Sequence, residues 1–118
     1  MRPETLLDFM GVAEHLKCNM RHSRMTDHRR ESVAEHTYRL CVFAWLVKEE
    51  FPNCDMDKVM KMCLFHDLGE ALTGDIPAFV KTDDDRETEG DALTLLTAML
   101  PGKERQELDE LFGELERE

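Results

Sequence analysis

A capping box followed by a long apolar run is the feature that most restricts how this chain can fold. Ser32 stands three residues before Glu35, the spacing at which the two side chains satisfy each other's backbone N–H groups at a helix N-terminus. Residues 40–47 are almost continuously apolar, and Pro52 follows soon after them. We therefore expect a helix from Ser32 to about Glu50 that lies buried at the centre of the fold.

The rest of the sequence also has helical periodicity. Strand patterns are weak, because Val and Ile are scarce beside Leu, Met, Ala and Glu and little period-two alternation occurs. The 118 residues suffice for one domain, which we predict to be an all-α bundle of about five to six helices. Besides the central helix, we expect helices over residues 3–18, from Asp55 or Asp57 to near Gly69, from Asp83 to about Leu100 and around residues 108–115, with a loop over residues 19–31.

The charge distribution argues against a nucleic-acid polymer as partner. The formal net charge is −11, and residues 83–118 carry 13 acidic residues against four basic ones, a surface that repels long polyanions. Residues 1–50 are balanced, with eight residues of each sign. A local basic excess in this balanced part leaves room for a small phosphorylated ligand; it consists of Lys17, Arg21, Arg24, Arg29 and Arg30.

Nothing in the sequence points to a membrane or to secretion. No run of 18 or more apolar residues occurs, and the N-terminus lacks the apolar segment of a secretory signal. The four cysteines contain no CxxC pair, and we expect buried, reduced thiols, with Cys41 and Cys63 lying in apolar runs. These features predict a cytoplasmic protein with no membrane partner.

His36 is the first residue that could carry chemistry. It lies on a helical stripe with Leu40, Phe43 and Val47, which we expect to face inward. A buried imidazole must find a polar partner. By itself this position fits a hydrogen-bonded core histidine better than a metal ligand.

The pair His66-Asp67 is the second such feature. Both residues follow an apolar stripe, and a buried carboxylate at Asp67 is costly without a cation or several hydrogen-bond donors. A divalent ion would satisfy both side chains, provided that a helix end near Gly69 turns these neighbours toward one point. Histidine plus carboxylate suits Mn, Co, Mg, Fe, Ni or Zn, and imidazole favours the softer of these metals.

Two further carboxylates follow this pair. Glu70 comes three residues after Asp67 and four after His66, so it projects from the same face if the helix continues. A carboxylate beside a metal can carry a proton from metal-bound water, whereas the alternative is a solvated glutamate at a helix end. Asp75 follows Gly74 and is expected to position water or a substrate hydroxyl, with an ordinary turn aspartate as the alternative.

Two stretches of the sequence resemble a known family. They are Arg29-Arg30-Glu31-Ser32-Val33-Ala34-Glu35-His36 and His66-Asp67-Leu68-Gly69-Glu70-Ala71-Leu72-Thr73-Gly74-Asp75-Ile76-Pro77. Both are similar to the HD-domain phosphohydrolase superfamily, a family of helical, metal-dependent enzymes, and more closely to its 5′-deoxynucleotidase (YfbR-like) branch. The likeness extends more loosely from about Asp8 to the C-terminus.

The resemblance implies a role for each matching residue. His36, His66 and Asp67 would be metal ligands. Glu70 would handle the proton of the attacking water, and Asp75 would support the substrate or the water. The implied activity is hydrolysis of a phosphate ester with the help of a divalent metal ion.

The implied substrate is a small-molecule nucleotide, a (deoxy)nucleoside 5′-monophosphate. Arg21 falls where this branch places an arginine that contacts the nucleotide, and His22 stands where the branch often has tryptophan, which leaves sugar discrimination open. Arg24 and Lys81 are expected to neutralise phosphate charge. For each of these basic residues the alternative is a solvated surface position.

One departure from the family concerns the metal site. The family completes this site with a second aspartate on a later helix, but after Pro101 only Asp109 is present, on a charged face. Two explanations stay open: residues 1–118 form a single HD domain that is incomplete at the C-terminus, or the site has three protein ligands. Apolar surface left uncovered in the first case predicts an oligomer, most simply a homodimer.

Two other functions fit the same residues. The first is a helical binding or regulatory module that keeps the HD residues with weak or no catalysis. The second is an HD phosphodiesterase or a hydrolase of nucleoside polyphosphates, because the HD site serves all of these reactions. Metal analysis of His66→Ala and Asp67→Ala variants separates the binding module from the enzymes.

Overall fold

The computed structural model describes residues 1–73 and 83–116, and for residues 83–87 and 89 it describes the backbone alone. Within these ranges the chain forms five helices of ten or more residues, two one-turn helices and a small two-stranded sheet, which confirms the predicted all-α bundle. The elements are α1 (Pro3–Ala13), α2 (His15–Cys18), β1 (Met20–Arg24), β2 (Arg30–Ser32), α3 (Val33–Leu46), a 3₁₀ turn (Lys48–Glu50), α4 (Met56–Phe65), α5 (Glu70–Thr73), α6 (Asp83–Ala98) and α7 (Gly102–Glu116).

The capping box forms as predicted and begins α3. The Ser32 hydroxyl oxygen accepts a hydrogen bond from the backbone N–H of Glu35 at 3.1 Å, and the Glu35 carboxylate accepts one from the backbone N–H of Ser32 at 2.9 Å. Ser32 is buried, and the adjacent Val33 is fully buried in the core. The start of α3 is therefore fixed both by local hydrogen bonds and by packing.

The core lies around the beginning of α3, away from its apolar end. It contains residues from α2, from the start of α3, from the turn before α5, from α5 itself, and from the two helices α6 and α7. Its buried members are Leu16, Val33, Leu68, Ala71, Leu96, Leu100, Leu108, Leu111 and Phe112. Of these helices, α6 and α7 contact each other, while α7 also contacts α4 and α6 also contacts α5.

The prediction that α3 is the central, buried helix is wrong for its second half. Phe43, Trp45 and Leu46 are 61%, 56% and 65% exposed, so Phe43 does not face inward. The helix is apolar on most of its circumference, but α4 and α2 pack against only part of it. The cysteines predicted to be buried are half-buried at Cys41 and Cys63 and exposed at the other two positions, and all four are free thiols.

The predicted loop over residues 19–31 is also wrong, because much of it forms a hairpin. β1 and β2 pair antiparallel, with Met20 opposite Ser32 and Arg24 opposite Arg30, and the register shifts between these pairs. The turn contains His28 with φ of 68°, a left-handed conformation that histidine tolerates better than most residues. Apolar alternation, the usual sign of a strand, is missing from this polar hairpin.

The remaining helix boundaries differ from the expectations by a few residues. The first helix is interrupted at Glu14, which divides it into α1 and α2. Asp55 caps α4 by accepting a hydrogen bond from the N–H of Lys58 at 3.2 Å, and α4 ends at Phe65, earlier than the predicted end near Gly69. Among the helices that the structure describes, none is long and apolar enough to cross a membrane.

Candidate metal centre

The side chains of three residues meet at one point beside the core, where α3 begins and α4 ends. His36 lies in the second turn of α3, just beyond the capping box. His66 follows the last residue of α4, and Asp67 lies in the turn after it, where the N–H of Glu70 donates to the Asp67 carbonyl at 3.0 Å. The helix end expected near this pair is present, and it allows two consecutive side chains to converge instead of diverging by about 100°.

The geometry of the three side chains is compact. Asp67 Oδ2 lies 2.9 Å from His66 Nε2 and 3.9 Å from His36 Nε2. The two imidazole rings meet edge to face, with centroids 5.6 Å apart. One ligand atom from each of the three residues lies within 4.8 Å of the other two.

In each imidazole, the Nδ1 nitrogen faces away from Asp67 and lies near another polar group. His66 Nδ1 lies 2.8 Å from the backbone carbonyl of Cys63, so this nitrogen donates its proton there. His36 Nδ1 lies 3.9 Å from Glu31 Oε1. With Nδ1 directed at these groups, each ring places its Nε2 toward Asp67, which is the usual orientation of metal-binding histidines. Loss of the Nε2 proton that His66 donates to Asp67 would free a lone pair for a metal.

The electrostatics favour an ionised Asp67 and a neutral His36. Burial is the largest influence on the pKa of Asp67 and raises it, but the hydrogen bond with His66 and the charges of His66, His36 and Arg21 outweigh burial, so the net shift is downward. The hydrogen bond with Asp67 raises the pKa of His66. Burial, together with Arg21, lowers the pKa of His36. A carboxylate beside a neutral imidazole is the state that binds a cation.

The donor set fits a divalent metal ion. Two imidazole nitrogens and one carboxylate oxygen suit the ions from Mg to Zn, with the transition metals favoured by the imidazoles. Bonds of about 2.0–2.1 Å place ligand atoms roughly 3.3 Å apart around one ion. The 2.9 Å and 3.9 Å separations at Asp67 Oδ2 bracket that value, so small side-chain rotations would bring the donors onto one ion.

Glu70 lies near His66, while Asp75 and Lys81 lie outside the described residues. Glu70 begins α5 and is half-buried, and its charge contributes to the raised pKa of His66. The side-chain amide of Asn19 donates to the Glu70 carbonyl, which ties α5 to the segment before β1. The backbone that carries Glu70 is thus held in place beside His66 and Asp67.

A basic cavity of about 430 Å³ opens beside His36. Arg21 and Arg24, both predicted to bind substrate, line it together with His36 and Glu31. Arg24 Nη1 donates to the carbonyl of His28 at 3.0 Å, which orders the hairpin at the cavity wall. His22 is exposed and is not among the residues that line this cavity.

Two residues of this site were missed from the sequence. Arg39 also lines the cavity, and its position three residues after His36 on α3 places it on the same helix face. Glu31 lies between Arg21 and His36, and its position immediately before the capping box could have indicated a place near the first turns of α3. Glu31 belongs to a polar segment without a periodic pattern, whereas Arg39 lies within the predicted helix but is not a member of its apolar stripe.

Comparison with known proteins gives the same family as the sequence motifs. The HD domain model matches residues 13–118. The human protein named 5′-deoxynucleotidase HDDC2 is 37% identical over 90 residues, which is 75% of this chain and 43% of that protein. The Xenopus laevis protein of the same name is 32% identical over 120 residues, which is 98% of this chain and 58% of that protein.

Solved structures also match. A crystal structure of a predicted metal-dependent phosphohydrolase from Magnetospirillum magnetotacticum MS-1 superposes with a TM-score of 0.86 at 30% identity, covering 98% of this chain and 60% of that one. A conserved hypothetical protein from Pyrococcus furiosus gives a TM-score of 0.72 at 31% identity, covering 94% and 64% of the two chains. The chain thus spans about half the length of the curated relatives. Because the family model matches almost all of its residues, the chain belongs to the HD-domain family.

Proposed function

We propose that this protein is a metal-dependent phosphohydrolase that releases phosphate from a deoxynucleoside 5′-monophosphate. The observation that carries the proposal is the convergence of His36, His66 and Asp67 at the edge of an arginine-lined cavity. The names of the relatives support the deoxynucleotide class. A metal centre beside fixed positive charge matches what hydrolysis of a phosphate monoester requires.

His36, His66 and Asp67 would hold the metal ion, and two imidazoles favour Mn, Co, Fe, Ni or Zn over Mg. When bound, a divalent ion supplies acidified water at neutral pH and polarises the phosphoryl group. The protein's part is to orient its three donor atoms. The carbonyl of Cys63 does this for His66, by accepting the proton of Nδ1.

The residues around these donors would divide the remaining tasks. Glu70, held beside His66, would accept the proton of the attacking water, and Asp75 would position that water or a substrate hydroxyl. Arg21 and Arg24 would bind the phosphate in the cavity, with Arg39 as an added cation. From the sequence, His22 would lie beside the sugar of the substrate, and Lys81 would bind its phosphate.

The test is phosphate release from a panel of nucleoside monophosphates, with Mn²⁺, Co²⁺, Mg²⁺ or no metal. We expect release from deoxynucleoside monophosphates in the presence of a transition metal, and its loss in Asp67→Asn. Including a phosphodiester and a nucleoside triphosphate tests the alternative hydrolases. Metal binding without release from any substrate would support the binding or regulatory module instead.

We also propose that two copies associate through an apolar groove between α1 and α3. The groove has a volume of about 850 Å³, and Leu7, Met10, Tyr38 and Leu64 line it while being largely exposed. Residues 1–50, which supply most of it, carry no net charge, so two copies would not repel each other there. Light scattering over a concentration series should reveal a dimer that Leu7→Glu weakens and the exposed control Leu95→Glu does not; a wild-type monomer throughout contradicts it.

For location we propose the cytoplasm. All four cysteines are free thiols in the structure, two of them exposed, which suits a reducing compartment. A nucleotide substrate supports the same choice. Fractionation of cells that express the tagged protein, followed by immunoblotting, tests it.

A further inference from the structure

Glu31 lies between the cavity and the metal centre and contacts a charged or polar group of each. Its Oε1 atom is 3.7 Å from Arg21 Nη1 and 3.9 Å from His36 Nδ1. The Glu31 side chain is only 13% exposed, so its charge is poorly screened by water. One carboxylate oxygen is therefore shared by a residue of the proposed phosphate site and a proposed metal ligand.

Local sequence geometry places Glu31 beside His36. Glu31 immediately precedes the helix cap Ser32, and His36 is the fourth residue of α3. In many helices these two positions hold apolar side chains that pack on each other, in the motif called the hydrophobic staple. Here a carboxylate and an imidazole occupy them, and the capping hydrogen bonds between Ser32 and Glu35 fix their separation.

The hairpin brings Arg21 to the same carboxylate. Met20 lies opposite Ser32 and Arg24 opposite Arg30, so Arg21 and Glu31 both lie in the irregular stretch between these two pairs. Arg30 supports this register because its Nε donates to the Arg21 carbonyl at 2.9 Å. The Arg21 guanidinium is thus held where it lines the cavity.

We propose that Glu31 is a positioning residue that orients His36 for the metal and Arg21 for the phosphate at the same time. Its carboxylate keeps the imidazole proton of His36 on Nδ1 and leaves the Nε2 lone pair facing Asp67. It acts on the Nδ1 side of His36 from 3.9 Å, where the Cys63 carbonyl binds the Nδ1 of His66 at 2.8 Å. This inference rests on the proposed function only in taking the three-residue cluster as a metal centre.

The main test uses the metal-free protein and Co²⁺ as the probe. In Glu31→Leu, nitrogen NMR should find the His36 proton moving from Nδ1 toward Nε2, and the dissociation constant for Co²⁺ should rise about 10- to 100-fold. Glu31→Gln keeps an acceptor oxygen for Nδ1 but no charge for Arg21. We expect it to retain the tautomer and most of the Co²⁺ affinity while weakening the binding of deoxyadenosine monophosphate. The exposed Glu49→Gln is the matched control and should change none of these.

A second variant protects the test against misfolding of Glu31→Leu. Glu31→Asp keeps the charge but withdraws the carboxylate by one methylene, so it should also weaken Co²⁺ binding. Unchanged tautomer and Co²⁺ affinity in Glu31→Leu and Glu31→Asp would overturn the inference, even if the wild-type protein hydrolyses nucleotides. Conversely, if the wild type binds Co²⁺ and the variants behave as expected but no phosphate is released, the inference stands and the proposed function fails.

Discussion

Asp67 Oδ2 lies 2.9 Å from Nε2 of His66, the residue directly before it, and this contact is possible because α4 ends at Phe65. Side chains of consecutive residues within a continuous helix point about 100° apart. The turn after α4 lets them converge, and His36 joins them from α3. The candidate metal centre therefore depends on a helix end as much as on the identity of its residues.

Removing a ligand atom should abolish most metal binding. His66→Ala leaves two of the three donors, and Asp67→Asn removes the charge that attracts the cation. Removing a ligand should lower the metal affinity at least as much as removing a group that hydrogen-bonds to a ligand. We therefore expect the Co²⁺ affinity to fall by more than about tenfold in each variant. Titration of metal-free protein, followed by visible absorption, measures it.

The matched control for this prediction is His28→Asn. His28 is exposed in the hairpin turn with a positive φ, a conformation that asparagine also accepts, so the fold should be kept. Co²⁺ affinity should equal that of the wild type. Equal affinity in His66→Ala as well would mean that the metal binds elsewhere.

The capping box should contribute measurably to stability. Ser32→Ala removes the acceptor for the Glu35 N–H, and we expect the free energy of unfolding to fall by about 1 kcal/mol, within a range of roughly 0.5–2 kcal/mol for such caps. Urea denaturation followed by circular dichroism measures the change. The exposed Ser23→Ala is the control and should lie within about 0.5 kcal/mol of the wild type. Similar losses in both variants would rule out a specific role for the cap.

Glu35 should titrate far below an ordinary glutamate. The side-chain hydrogen bond from Arg29 is the largest cause, and with the bonds from Ser32 it lowers the pKa of Glu35 from 4.5 to about 2. Because the folded pKa lies below the unfolded one, the stabilisation is present above pH 4.5 and is lost as the pH falls toward 2. Carboxyl NMR titration should show this, and Arg29→Gln should raise the pKa.

The distant Lys103→Gln makes the same change of charge on α7 and is the control for that titration. It should leave the pKa of Glu35 near its wild-type value. If Arg29→Gln leaves the pKa unchanged too, the two hydrogen bonds between Arg29 and Glu35, at 2.7 Å and 3.1 Å, do not persist in solution.

Features that depend on neighbours in sequence were predictable, and features that depend on distant packing were not. The capping box at Ser32 and the helix end beside His66 follow from short motifs, and both are present. The exposure of Phe43 and Trp45 was not predictable. The apolar sequence of a helix indicates that the helix should be buried, but it does not indicate which other surface covers it. The hairpin over β1 and β2 escaped because its strands are polar and short.

The candidate site divides in the same way. The pairing of His66 with Asp67 and the role expected of Glu70 came from spacing and family resemblance, whereas the shared position of Glu31 required the hairpin register. Arg39 needed the knowledge of which face of α3 borders the cavity. Residues that act through tertiary contacts leave no periodic pattern in a single sequence.

The core between α6 and α7 should be sensitive to loss of volume. Leu96 is 1% exposed and packs in the main apolar cluster, whereas its neighbour Leu95 is 64% exposed on the same helix. Leu96→Ala removes buried methyl groups and leaves a cavity, so the free energy of unfolding should fall by about 2–5 kcal/mol. Urea denaturation measures the loss, and thermal melting gives an independent midpoint.

Leu95→Ala is the matched control, because it makes the same chemical change at an adjacent exposed position of α6. Alanine favours helix slightly more than leucine, so we expect a change within about 0.5 kcal/mol. Equal losses at the two positions would mean that α6 does not present Leu96 to the core. A large loss at Leu95 alone would mean that α6 is rotated about its axis, which would also displace the contact of α6 with α5 beside Glu70.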